Sequence, residues 1–511
     1  MAWTDLINGS LKQFYPDSKV KAPNIRVDPL AKIIPFRGSS GKTIRSTNFS
    51  TNQNMFYAGD MGKLKTAINS NYLTNFSPLT GFDWTVGNIF SGFLIDKKQI
   101  SAARTVKGGM IEAIKEAVAL AFGSWKTLFG ISLYGSGYGE LGVVKSATAY
   151  TAATSFSLTV SKETVFNVRI GQTLRLTSGL YPSLGFMAGT FLCTGKSVDP
   201  AAGTANNKLF TGTLTLTPTN SGTTVLNSYV CLYGCQDASN NPLLPVGLAG
   251  ILPSYGQRGE DGSGTYATFL SIPFMGVTRS SIGNAGTYKI SSVSGCYANT
   301  SEIAANGNIV ANDPLSAVEL CLNRINALGG GYEDGLKIVM NPLTLEYVRE
   351  ISITNRESAL NLLSIAKKTH SYGSKAWNPT SWEDMVITSN HCPISKIYIV
   401  NTNDIEFRFQ GADEEAEKDP LYYIFDEEKQ VAGDQDKPMK DNTTQINEKA
   451  PASDYPLVES NFDFNSIKML TLSPGSASVD GEGLSGTLTG YGAFVHWAPG
   501  WSGVVDVAAL L

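Results

Sequence analysis

Charge and histidine are scarce in this chain. Charged residues fill 16% of its 511 positions, against the roughly 25% usual in globular domains. A surface so lightly charged suits broad contact with other proteins better than life as an isolated monomer. Only three histidines occur, His370, His391 and His496. No HExxH, GxSxG or calcium-loop spacing is present, which excludes the familiar metallohydrolase and serine-hydrolase signatures. His391 and Cys392 are sequence neighbours, and strand neighbours face opposite sides, a poor geometry for a base and its nucleophile. The six cysteines (Cys193, Cys231, Cys235, Cys296, Cys321, Cys392) are too scattered for a disulfide-dense secreted fold. Their one close pair, Cys231 and Cys235, has no second pair to complete a zinc site, so buried thiols are expected. No run of about 20 uncharged apolar residues exists, so no membrane span is expected. The start, Met1–Asp5, lacks the basic-then-apolar pattern of a secretory signal, which points to a cytoplasm. A repeat of fixed period is missing as well.

The chain has the length of two or three folding units, and its charge is unevenly spread. Residues 1–107 hold 14 lysines and arginines against 6 acids, while 413–441 hold 11 acids and 4 lysines. These segments have the opposite signs that guide register across a subunit boundary; an ordinary solvated acidic loop explains the second equally well.

Residues 98–145 read as a long amphipathic helix running into a glycine-rich turn. Ile111, Ile114, Val118, Phe122, Trp125 and Phe129 fall in steps of three and four, one helical stripe. Before it, 1–33 resemble an extended arm, and 34–60 place alternating segments around Gly38-Ser39-Ser40-Gly41, a hairpin signal with a flexible tip. After it, SFSLTV (155–160), VFNVRI (165–170), TLRL (173–176), TGTLTLT (211–217) and SYVCLY (228–233) predict a small all-β module over about 143–235. Further on, Asp313 and Pro314 open a helix whose stripe is Leu315, Val318, Leu322, Ile325 and Leu328, ended by three glycines. LKIVM (336–340) predicts a buried strand, and Asn341 and Pro342 cap and open a second helix to about Glu350. Strand patterns at 467–474 and 490–507 close the chain. Helix, strand and helix in tight succession indicate an α+β unit.

Two glycine motifs invite a nucleotide reading and fail it. GSSGKT (38–43) has Phe36 where a phosphate loop needs its first glycine. Gly137-Tyr138-Gly139-Glu140-Leu141-Gly142 follows a helix and precedes strands, the reverse of a dinucleotide loop, and reads as a chain-reversing turn. Glu414-Glu415 and Glu427-Glu428 read as solvated charge. The basic N-terminal region lacks stacking aromatics or a groove-reading helix, leaving only non-specific contact with nucleic acid. No catalytic, cofactor-binding or metal-binding residue is assigned.

The order of the pieces resembles the major capsid protein of tailed double-stranded DNA phages, the Hong Kong 97-type fold. The resemblance rests on the basic arm and hairpin, then GGMIEAIKEAVALAFGSWKTLF, then LYGSGYGELGV. PVGLAGIL (245–252), FLSIPFMGVTRSSIGNAGTYKISSV (269–293), DPLSAVELCLNRINALGGGYEDGLKIVMNPLTLEYVREI and AFVHWAPGWSGVV complete it. It implies an N-terminal arm (1–33), an extended loop (34–97), a peripheral domain with the spine helix (98–142 and 411–511), an inserted β-domain (143–235) and an axial domain (236–410). It further implies pentamers and hexamers closing into an icosahedral shell around packaged DNA, assembled in the host cytoplasm into a virion. A separate scaffolding protein, a portal and decoration proteins are the implied partners, with no large N-terminal cleavage and no enzymatic activity. The lysine–asparagine cross-link of some members has no matching residue here. Competing readings are a phage tail or other β-rich virion protein, a secreted carbohydrate-active enzyme, and a non-viral shell of the same fold.

Overall fold

The structure, a computed structural model, describes residues 28–39, 43–46, 80–84, 86–96, 109–179, 185–198, 210–252, 273–275, 277–278, 295–300, 314–327, 335–348, 386–410, 468–471 and 482–507. The acidic stretch 413–441, His370, Asp313 and residues 1–27 lie outside them.

The long helix spans Gly109–Tyr134, roughly 39 Å at 1.5 Å per residue. It lies on the Gly87–Asp96 and Glu482–His496 strands. Of the predicted stripe, Trp125 and Phe129 are buried and stacked with centroids 5.4 Å apart. Phe129 also meets Phe407 at 5.0 Å and Phe494 at 5.4 Å. The side chains of Ile111, Ile114, Val118 and Phe122 lie outside the described set.

The sheet beneath the helix joins five strands distant in sequence. Glu482–His496 is its axis; Gly492 pairs with Phe409 in one neighbour and Gly87 in another. Phe36–Ser39 adds a parallel edge on Ile405–Gln410. This corrects the predicted hairpin: Phe36–Ser39 and Thr43–Ser46 pair with different partners, the latter antiparallel with Thr80–Asp83. A lone two-stranded hairpin is marginal, whereas a strand laid on an existing sheet joins a ladder already packed on one face. The arm expected to be extended over 1–33 is corrected too, at its C-terminal end. Leu30, Ala31 and Ile34 are buried in a turn closed by Ile34 N–H to Leu30 O at 3.2 Å, because three apolar side chains within five residues gain more from the core than from solvent.

The β-module is a six-stranded antiparallel sheet that closes on itself. Its path runs through Glu140–Val143, Tyr229–Leu232, Thr173–Leu176, Phe191–Ser197, Thr211–Pro218 and Phe156–Ser161. The Val144–Val160 bridge and Lys145 N–H to Thr159 O at 2.9 Å join the ends. Closure removes free edges, and alternation fills the interior with Leu158, Leu174, Phe191, Leu214, Leu216 and Val230. VFNVRI is not a strand: Lys162–Asn167 is a short helix. Ser161 occupies its N-cap position and Val165 and Val168, three apart, both face the interior.

A third sheet orders Cys296–Asn299, Gly503–Asp506, Lys396–Asn401, Leu336–Met340 and Val386–Thr388. Helix Pro314–Ala327 covers it, burying Ala317, Val318, Cys321 and Ile325. Asn341 caps the helix at 342–348, its Oδ1 accepting from Leu343 N–H at 3.1 Å. The predicted domain boundary at 410/411 does not follow the sheets. Ile405–Gln410 belongs with Glu482–His496, while Gly503–Asp506 belongs with Lys396–Asn401. The chain crosses between sheets twice, and the two crossings are tied together: Trp497 N–H donates to Asp404 O at 2.8 Å and Asn401 N–H to Ser502 Oγ at 3.1 Å. All six cysteines are buried, and none forms a disulfide.

Candidate functional site: a buried junction at residues 389–396

The turn between Val386–Thr388 and Lys396–Asn401 is gripped from four directions. From the N-terminal side comes Asp28, 4% exposed. Its Oδ1 accepts from Leu30 N–H at 2.9 Å and Tyr134 O–H at 3.1 Å, and its Oδ2 accepts from the Ser389 hydroxyl. Tyr134 ends the long helix, so one carboxylate joins three segments. The helix also approaches directly at Gly130, where a Cβ would stand 2.4 Å from His391 Cδ2. From the third side, Asn341 Nδ2 donates to Cys392 O at 2.9 Å and Thr344 Oγ1 to Ile394 O at 2.6 Å. From the fourth side comes the barrel, whose buried Glu163 acts on the Cys392 thiol.

The electrostatics suit a joint and not a catalytic pair. Burial first, then Asp28 and Glu163, push the Cys392 thiol well above its ordinary range. Burial lowers His391 against the opposing pull of Asp28, keeping the imidazole neutral. A protonated thiol beside a neutral imidazole is not an activated nucleophile. Burial also raises the Tyr134 hydroxyl, which stays a donor. His496, pushed down to about 3 by burial, holds Ser502 Oγ at 2.9 Å and belongs to the sheet crossing.

The false dinucleotide turn contains its own anion. Glu140, carried on the first barrel strand, folds back so that both carboxylate oxygens lie 3.1 Å from Ser136 N, with the Ser136 hydroxyl and the Tyr138 and Glu140 N–H groups as further donors. Gly137 and Gly139 adopt φ of 97° and 73°, which L side chains rarely adopt, and a Cβ at Gly135 would meet Glu140 Oε2 at 2.7 Å. The inward N–H groups form an anion-binding nest that Glu140 fills. Burial raises this carboxyl above its ordinary range despite the donors. Glu140→Gln is expected to cost about 1–2 kcal/mol, because the amide turns an N–H toward backbone donors; a thermal midpoint equal to wild type would refute the nest.

A cavity of about 390 Å³ opens beside this turn, lined by Phe90, Thr127, Leu128, Asn167, Arg169 and Tyr233 among others. Among the described residues no group of three or more His, Cys, Asp or Glu side chains is placed to hold a metal, and no helix is long and apolar enough to cross a membrane.

His391, Cys392 and the glycine turn were legible as motifs, and the structure separates their roles into joint and turn. Asp28, Tyr134, Glu163 and Ser389 carried no motif. The one available signal was an isolated acid beside apolar residues, Asp28 before Pro29-Leu30-Ala31.

No protein-family model matches the chain, and no curated protein does. Among solved structures, the chain is similar to one described as a cyanophage A-1(L) capsid asymmetric unit, with 10% identity, 98% of each chain covered and a TM-score of 0.37. It is also similar to a satellite phage P4 procapsid including the size determination (Sid) protein, with 7% identity, 99% of this chain and 91% of that chain covered, and a TM-score of 0.32.

Proposed function

We propose that this chain is a shell-forming phage capsid protein, assembling as pentamers and hexamers into an icosahedral container for double-stranded DNA, with no catalytic activity of its own. The observation that carries the reading is the arrangement around the long helix. Gly109–Tyr134 lies across a sheet built from both chain ends, and an antiparallel ribbon, Thr43–Ser46 with Thr80–Asp83, extends from the same region. A two-stranded ribbon gains stability by packing on a further element, which suits contact with a neighbour. Trp84, directly after it, meets the Arg408 guanidinium at 5.5 Å, and Trp497 lies on that guanidinium at 5.2 Å, which anchors the ribbon base to the five-stranded sheet. In this reading the closed barrel is an inserted domain, and a scaffolding protein and a portal complete the assembly. Low surface charge fits a container whose subunits meet many neighbours through extended interfaces, commonly 2,000 Å² or more when obligate.

Ser46 and Thr80 are register partners, so a two-residue Asn-Gly turn between them closes the ribbon with standard hairpin geometry. Replacing residues 47–79 by that turn is expected to leave a folded subunit that no longer assembles. Negative-stain electron microscopy and sedimentation of wild type should give shells or rings of five and six. A wild-type stable monomer would sink the capsid reading, and normal particles from the shortened ribbon would sink the ribbon's role.

A further inference from the structure

Two of the buried thiols share one hollow. Cys296 begins the Cys296–Asn299 strand of the third sheet, and Cys321 lies on the helix Pro314–Ala327 that packs on that strand; both are fully buried. Gly503 is the register partner of Cys296 in the parallel pair with Gly503–Asp506. A Cβ at Gly503 would stand 2.5 Å from Cys321 Sγ and 3.1 Å from Cys296 Cβ. The sulfur of one cysteine and the Cβ of the other therefore border the volume of a single absent methyl group. Gly503 has no left-handed φ, so room for these side chains, and not backbone freedom, is what demands glycine here. The helix and the strand are already tied beside the pair, because the Arg324 guanidinium donates to Tyr297 O. Cys296 Sγ donates to Gly500 O at 3.3 Å, on the turn that leads into Gly503.

We propose that Cys296 and Cys321 form a disulfide when the chain meets an oxidising medium, stapling the helix Pro314–Ala327 to the Cys296–Asn299 strand. In a reducing compartment the two remain thiols and serve as ordinary core. A disulfide spans Cβ atoms roughly 4 Å apart, and the open volume at Gly503 lets the Cys321 side chain turn toward Cys296 without displacing a neighbour's side chain. The oxidant is a low-molecular-weight disulfide such as oxidised glutathione. The thiolate of one cysteine attacks it, forming a mixed disulfide and expelling one thiolate. The second cysteine's thiolate then attacks the mixed disulfide and expels the other half. Two S–H bonds are lost and one S–S bond forms, while the oxidant leaves as two thiols that carry both protons. Burial makes the first attack wait on transient parting of helix and strand. Once made, the bond closes the loop from 296 to 321 and restricts the unfolded chain.

Non-reducing peptide mapping of the full chain reads this directly. The chain is brought to equilibrium with glutathione buffers of rising disulfide content, by two routes: from the folded reduced protein and by refolding in the same buffers. A Cys296–Cys321 linked peptide should appear, about 2 Da lighter than its two halves together, before any link among Cys193, Cys231, Cys235 and Cys392. Amide hydrogen exchange within 315–325 should slow roughly 100-fold in the linked chain and return on reduction with dithiothreitol. Gly503→Ala, which fills the hollow, should lower the yield of the link, and Cys321→Ala should abolish both the link and the slowing. No link at the most oxidising buffer by either route overturns the proposal, as does a different cysteine pair linking first. Slowing that persists in Cys321→Ala, or exchange unchanged by the link, overturns the staple.

Discussion

Asp28→Ala is expected to lower subunit stability by about 3–5 kcal/mol, the range for removing one partner from a buried charged cluster. The substitution leaves the Leu30 N–H, the Tyr134 hydroxyl and the Ser389 hydroxyl facing an apolar gap. It also detaches the N-terminal segment from the end of the long helix, so Leu30, Ala31 and Ile34 lose the turn that seats them. Asp28→Asn keeps an acceptor but sets an amide N–H against one of the donors, and an intermediate loss of about 1–2 kcal/mol follows. Tyr134→Phe and Ser389→Ala each remove a single hydrogen bond and should cost about 1 kcal/mol. Denaturant unfolding of the unassembled chain ranks the four variants. An Asp28→Ala loss under about 1 kcal/mol would mean that the carboxylate is solvated and joins nothing.

Gly247→Ala is expected to cost about 3 kcal/mol or more, the upper part of the range for overpacking, because the atoms it meets are backbone and cannot turn aside. A Cβ there would stand 2.1 Å from Ser132 O and 2.3 Å from Leu133 O, in the last turn of the long helix. The backbone angles are open to any residue, φ −98° and ψ −156°, so close approach alone demands glycine. Gly247 N–H donates to Gly135 O at 3.0 Å, and the same contact thus closes the helix end and starts the Leu248–Ile251 turn. Gly195→Ala is the control: its nearest neighbour would be the Thr215 hydroxyl at 3.2 Å, a side chain that can shift. Thermal midpoints that fall equally for both would deny the close approach.

Both variants probe contacts that local pattern could not announce. The stripe through Trp125 and Phe129 was readable because 3.6 residues per turn fixes which side chains share a face, and the structure buries both. The alternation of Thr211–Pro218 was readable for the same reason, with period two, and every second residue points into the barrel. Asn341 was readable as a cap because its side chain acts on a backbone group two residues away. The misreadings have a common cause. VFNVRI has the apolar content of a strand, yet Lys162–Asn167 folds as a helix that packs on the Glu140–Val143 and Thr211–Pro218 strands and buries Val165 there. The Gly38–Gly41 hairpin failed because Phe36–Ser39 finds its partner some 370 residues later in the chain, at Phe407–Gln410.

By itself, the sequence determined the buried face of Trp125 and Phe129, the alternation of Thr211–Pro218, the Asn341 cap and the burial of its cysteines. Those properties depend on spacings of two to five residues, which backbone geometry converts directly into position. Only the tertiary structure decided that the β-module closes into a barrel, that the chain crosses twice between two sheets, and that Asp28, Tyr134, Glu163 and Ser389 meet around one turn. Each of these outcomes rests on a pairing between distant segments, and a lone buried carboxylate is tolerable only where the donors from those segments arrive together.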